Sequence, residues 1–271
     1  MIQRIVTGLC LIALLAFALW MGGWVFSILY MLTICCAMYE VFKALKQAGH
    51  RVAEWPCWLC LVLSLVLFNA AGSVGLLMPL MAGAFFLISA FVIFRSHPTL
   101  EDTLLSAMPL LCVLLPGVCM LGLQNAPGRP FQLLLTLLAF GVPLAGDTLA
   151  YFIGSRLGKR KLCPEVSPHK SVEGAAAGLV GSVLFAMACY GGVSAFAALD
   201  QPFWHFPLLG LAGGLAGQMG DLFASLIKRH CGIKDFSQIF PGHGGMMDRL
   251  DSVYWATVVM YMYLNLTLLT A

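Results

Sequence analysis

Between positions 221 and 251 the sequence spaces acidic and basic residues in a way that suits chemistry on a polyanion. Asp221, Ser225 and Lys228 stand at i, i+4 and i+7, one face of a helix. Lys228-Arg229, Lys234-Asp235, Pro241-Gly242-His243-Gly244-Gly245 and Asp248-Arg249-Leu250-Asp251 follow, with Asp248 and Asp251 sharing a face at i and i+3. Glycines let the backbone turn tightly and approach a ligand. Lysine and arginine compensate phosphate charge, arginine gripping two oxygens at once. Carboxylates one turn apart can hold Mg²⁺, whose octahedral shell is completed by water and phosphate oxygens.

A second group precedes the first. Asp147 and Tyr151 are four residues apart with Gly154 a further turn along, and Lys159, Ser167, Lys170 and Glu173 come after them. Carboxylates and cations converging from separate segments point to phosphoryl or nucleotidyl transfer through a metal. Other chemistries lack their patterns. There is no GxSxG nucleophile elbow and no GxxxxGK[ST] phosphate loop, of which Gly154-x-x-x-Gly158-Lys159 is only a fragment. His243 has no partner histidine at zinc spacing, so a structural or substrate-ordering role is expected. Cys57-x-x-Cys60 has no second pair and opens an apolar run, where cysteine is packing material.

The elements that must carry these groups are membrane helices. Of the 271 residues 61% are hydrophobic and only 10% charged, too few charges to cover a soluble surface. Apolar runs fall at 5–21, 24–42, 55–70, 74–94, 104–122, 131–155, 171–190, 205–227 and 250–269, each near the length that crosses hydrocarbon. The first run imitates a secretory signal but is read as a membrane helix, since apolar segments continue to the end of the chain. The expectation is an all-α polytopic membrane protein with about nine transmembrane helices. Residues 1–130 would be a scaffold of about five helices. Residues 131–271 would be a catalytic region of about four, with cytoplasmic loops 156–170 and 228–249.

Fourteen of the fifteen basic residues fall in alternate connections, Arg129 being the exception. The positive-inside rule places that face and the N-terminus in the cytoplasm. Carboxylates in apolar helices cost roughly 2.5–3.5 kcal/mol at mid-membrane unless they pair or bind a cation. Their gathering at one face suits metal-assisted chemistry on a phosphate substrate better than an ion pathway through the membrane. No basic tract or aromatic–basic interleaving suggests nucleic-acid binding.

Ser225 to Asp251, SLIKRHCGIKDFSQIFPGHGGMMDRLD, resembles the signature of the phosphatidate cytidylyltransferases, or CDP-diglyceride synthases. It has Ser-x-x-Lys-Arg, Lys-Asp, His-Gly-Gly and Asp-Arg-x-Asp at the family spacing. Gly146-Asp147-Thr148 through Tyr151, Gly154, Gly158-Lys159, Ser167-Pro168 and Glu173-Gly174 is similar to the family as well, with Ser171 where its members often have threonine. The resemblance implies that CTP and phosphatidic acid give CDP-diacylglycerol and pyrophosphate. It also implies a homodimer in a bacterial inner membrane with its active site toward the cytoplasm. Mg²⁺ is implied, with a second, monovalent cation such as K⁺. On this reading Asp221, Asp248 and Asp251 hold the metal, and Lys228, Arg229, Arg249, Asp147 and Lys170 are catalytic. Lys159, Ser167, Glu173, Ser225, His243, Gly244 and Gly245 bind substrate.

Overall fold

Apolar runs of this length form helices because only an element that satisfies its own backbone can lie in lipid. The computed structural model describes residues 2–71, 76–240, 242 and 244–270. Its helices are α1 (Ile2–Met21), α2 (Gly23–Gln47), α3 (Trp55–Ala71), α4 (Leu77–Ile93), α5 (Leu100–Pro109), α6 (Leu115–Leu123), α7 (Arg129–Leu157), α8 (Val172–Ser194), α9 (His205–His230) and α10 (Met247–Thr270). A two-stranded hairpin, β1 (Lys161–Cys163) and β2 (Ser167–Ser171), joins α7 to α8.

The chain is a largely helical integral membrane protein, but the expectation of nine spans is corrected. Among the described residues five helices are long and apolar enough to cross a membrane: Gly23–Gln47, Leu100–Leu123, Arg129–Leu157, Val172–Ser194 and Met247–Leu269. Trp55–Leu67, Leu77–Ile93 and Gly8–Met21 are apolar but shorter. Helix α9 has the length, 26 residues, and dilutes its apolar surface with Gln218, Asp221, Lys228, Arg229 and a row of glycines. Counting apolar runs overestimates spans because composition does not register where a helix stops.

Proline's effect is local. Pro109 ends α5, and a π-turn at Leu110–Leu114 carries the backbone on into α6 without a break in the span. Thr99 starts α5, its hydroxyl accepting the Asp102 N–H at 3.1 Å.

The residues group into two compact units. One comprises Met1–Gly122 and Lys228–Arg249, the other Leu123–Ile227 and Leu250–Ala271. In the second unit α7 and α8 approach through small residues. A Cβ on Gly174 would stand 2.9 Å from the Ala150 carbonyl and 3.0 Å from Gly154 Cα, so backbone meets backbone. Gly174→Leu is expected to force these helices apart at about 2–3 kcal/mol, lowering the unfolding midpoint in detergent by roughly 5 °C. A shift below 1 °C in a calorimetric scan would show the contact to be slack.

Candidate active site

The second unit builds its charged cluster on the α7–α8 connection. The hairpin pairs Lys161 with Ser171 and Cys163 with Ser167. Its end is fixed twice. Ser171 caps α8 by accepting the Gly174 N–H at 3.2 Å, and Glu173 accepts the Lys159 and Arg160 N–H groups at 3.0 and 3.2 Å. With the strand so anchored, Lys170 sets its ammonium on the carboxylate of Asp221, from α9. Both side chains are about a quarter exposed (28% and 26%), so water partly screens the pair. Asp147, Tyr151, His169, Lys170, Gln218 and Asp221 line one cavity of 500 Å³. Gln218 is tied to the Ala175 carbonyl at 2.9 Å, which helps fix α9 against α8.

The first unit holds the other cluster. The Asp248 side chain is only 4% exposed and both its oxygens have partners. Oδ1 accepts the Lys228 ammonium at 2.7 Å, and Oδ2 accepts the Phe236 and Gly245 N–H groups at 2.8 and 3.0 Å. Lys228 also lies 5.6 Å from the centre of the Phe236 ring. A tight turn brings the Phe240 N–H to the Gly244 carbonyl at 3.0 Å, with Gly244 at φ 80. Any side chain there would be strained, and its Cβ would press on Asp248 Oδ2 at 2.9 Å. Each cluster thus contains a lysine–aspartate pair beside backbone fixed by carboxylates.

The cytidylyltransferase family model matches residues 2–267. Phosphatidate cytidylyltransferase of Synechocystis sp. is 32% identical over 98% of this chain and 97% of its own. That of Bacillus subtilis is 30% identical over 97% of both chains. That of Haemophilus influenzae is 39% identical over 58% of this chain and 54% of its own. The chain belongs to the phosphatidate cytidylyltransferase family.

In this phosphatidate cytidylyltransferase family member, the residues singled out from sequence fall into distinct settings. Asp147, Lys170 and Asp221 come together at one cavity. Ser225 reaches Asp221 Oδ1 only at 3.5 Å. Glu173 serves backbone N–H groups rather than facing that cavity. Lys159 is exposed and Ser167 half-buried. In the first unit Lys228, Gly244, Gly245 and Asp248 come together, while Arg229 and Arg249 are exposed. Asp251, in the second unit, is buried and accepts both the N–H and the hydroxyl of Ser252 at 2.6 and 3.1 Å. His243 lies outside the described residues.

Two features escaped the sequence reading. Glu40, in α2, is 1% exposed and contacts the segment before α10. Its signal was an acid among apolar residues, the same signal that drew attention to Asp147. The other is a group that can hold a metal ion, His50, Glu101 and His230, whose ligand atoms lie within 4.8 Å of one another. The two imidazoles stack and their Nε2 atoms are 2.8 Å apart. Imidazole nitrogens suit zinc, copper or nickel, whereas Mg²⁺ prefers oxygen.

Proposed function

We propose that the chain is an integral membrane nucleotidyltransferase of phospholipid biosynthesis that converts CTP and phosphatidate to CDP-diacylglycerol and pyrophosphate. The observation that carries this reading is the family match along residues 2–267, which takes in both charged segments.

An oxygen of the lipid phosphate attacks the α-phosphorus of CTP. A new P–O bond forms, the bond from the α-phosphorus to the bridging oxygen breaks, and pyrophosphate leaves with the electron pair. The attacking oxygen is already anionic near neutrality, so the reaction needs positioning and charge compensation rather than a strong base. Lys228, Arg229 and Arg249 engage triphosphate or lipid phosphate, and Lys159 and Ser167 add donors on the β-hairpin side. Lys170 releases Asp221 and takes a phosphate oxygen in its place. Gly244 and Gly245 keep the backbone close to phosphate, with His243 between the turn's glycines ordering substrate.

The oxygen donors fit a hard divalent cation. Asp147 and Asp221 line one cavity, and Asp221 already balances a positive charge. We assign Mg²⁺ to Asp221 with Asp147 beside it; Asp248 and Asp251 are proposed as metal ligands on the sequence pattern alone. Bound there, Mg²⁺ would neutralise charge developing on the phosphates. A second, monovalent cation such as K⁺, and assembly as a homodimer, belong to the same proposal. So does a bacterial inner membrane with the site toward the cytoplasm, supported by the bacterial relatives named above.

Purified protein is incubated with labelled CTP, Mg²⁺ and phosphatidic acid, with a free-alcohol lipid in parallel. The expected result is labelled CDP-diacylglycerol from phosphatidic acid alone. Conversion of the alcohol would transfer the assignment to another lipid acceptor. Conversion of neither, with solute crossing liposomes that contain the protein, would overturn the enzyme reading.

A further inference from the structure

Glu40 is an acid in a helix long and apolar enough to cross a membrane, and it is 1% exposed. Such a group persists only where donors replace water. Three do so here, all from a segment about 200 residues away. The Ser237 hydroxyl donates to Oε1 at 2.5 Å, the Met246 N–H to Oε1 at 2.9 Å and the Met247 N–H to Oε2 at 2.8 Å. Met247 is the first residue of α10, whose leading N–H groups have no partner within the helix. No Ser, Thr, Asp or Asn precedes Met247 at the cap, where the chain reads Gly244-Gly245-Met246. Helix α10 therefore takes its cap from α2, and the carboxylate complements the positive end of its dipole.

The fit leaves no room for another side chain. A Cβ on Gly245 would lie 2.5 Å from Glu40 Oε2 and 2.7 Å from its Cδ. The same Gly245 donates its N–H to Asp248 at 3.0 Å. Two carboxylates thus hold consecutive amides, Asp248 that of Gly245 and Glu40 those of Met246 and Met247. The backbone between them can hardly rotate without breaking one or the other.

We propose that Glu40 is a positioning residue for nucleotide transfer: by capping α10 from α2 it fixes residues 245–247, and through them the direction in which Asp248 and Arg249 are presented. This rests on the reading that the segment Lys228–Arg249 handles phosphate. Glu40 touches no substrate. Its replacement should change the order of the segment and the handling of CTP, while the α2 helix persists.

The experiment compares full-length wild type with Glu40→Gln, Ser237→Ala, Gly245→Ala and the Glu40→Gln/Gly245→Ala double variant, all in the same detergent. Backbone amide exchange is followed on peptides from 236–248 and from α2. Glutamine offers one acceptor oxygen and sets an NH₂ group against an N–H donor. Glu40→Gln should therefore speed exchange at Met246 and Met247 at least tenfold, leave α2 protected, and lower kcat/KM for CTP about 30-fold. Ser237→Ala, which removes one donor and leaves both amides capped, should cost about threefold and serves if Glu40→Gln does not fold. Gly245→Ala should resemble Glu40→Gln, and the double variant should be no worse than either, because both break one contact. Unchanged exchange at 246–247, additive losses, or faster exchange with unaltered turnover would each overturn the proposal. Amide exchange needs no turnover, so a wild type inactive toward CTP would count against the function and leave the Glu40 contact separately measured.

Discussion

Replacing Asp248 with Asn should reduce CDP-lipid formation at saturating Mg²⁺ about 100-fold while leaving the protein folded, the scale expected when a metal-site group or its support is lost. The carboxylate does three things that an amide cannot do together. It neutralises Lys228 at 2.7 Å, in a pair whose side chains are only 12% and 4% exposed, and it accepts two backbone N–H groups on Oδ2. Asparagine keeps one oxygen. Whichever way it is turned, its NH₂ group meets Lys228 or the two amides, leaving donors opposed at a cost of roughly 1–3 kcal/mol. Labelled CTP conversion measures the effect, and amide exchange across Phe236 and Gly245 reports the lost order. A fall under about threefold would remove Asp248 from any part in turnover.

The second large effect is at the other lysine–aspartate pair. Asp221→Asn should also lower kcat/KM for CTP about 100-fold, and should raise the Mg²⁺ concentration for half-maximal rate by roughly tenfold. Asp221 is paired with Lys170 in a cavity it shares with Asp147. Removing its charge frees Lys170 and leaves Asp147 as the cavity's acid. Lys170→Ala makes the complementary test. It should weaken CTP binding and lower the Mg²⁺ concentration for half-maximal rate, because the cation then has no ammonium to displace from Asp221. An unaltered Mg²⁺ titration in Asp221→Asn would exclude Asp221 from the ion.

The site was more legible in the sequence than the fold around it. Asp147, Lys170 and Asp221 are near no common stretch of chain, yet each stood out as a charge within or beside an apolar run, and they meet at one cavity. Glu173 was also conspicuous, but its work is holding two backbone N–H groups, a distinction that only the turn at Lys159-Arg160 could reveal. Spans were less legible. Helices α3 and α4 stop at 17 residues each, and α9 carries polar groups along its length, features that an apolar count does not weigh. Glu40 went unread because its three donors are fixed by tertiary packing, and two of them are backbone groups with no side-chain signature.

The cap on α10 has a consequence for how the protein is made. Glu40 and the Met247 N–H are 207 residues apart, and synthesis proceeds at roughly 5–20 residues per second. For roughly 10–40 seconds after Glu40 leaves the ribosome its partners do not yet exist. During that interval α2 carries an acid whose three donors have yet to be made. The first unit is therefore completed only when the last helix begins, and the N-terminal helices must wait, part-assembled, for the segment that closes over them.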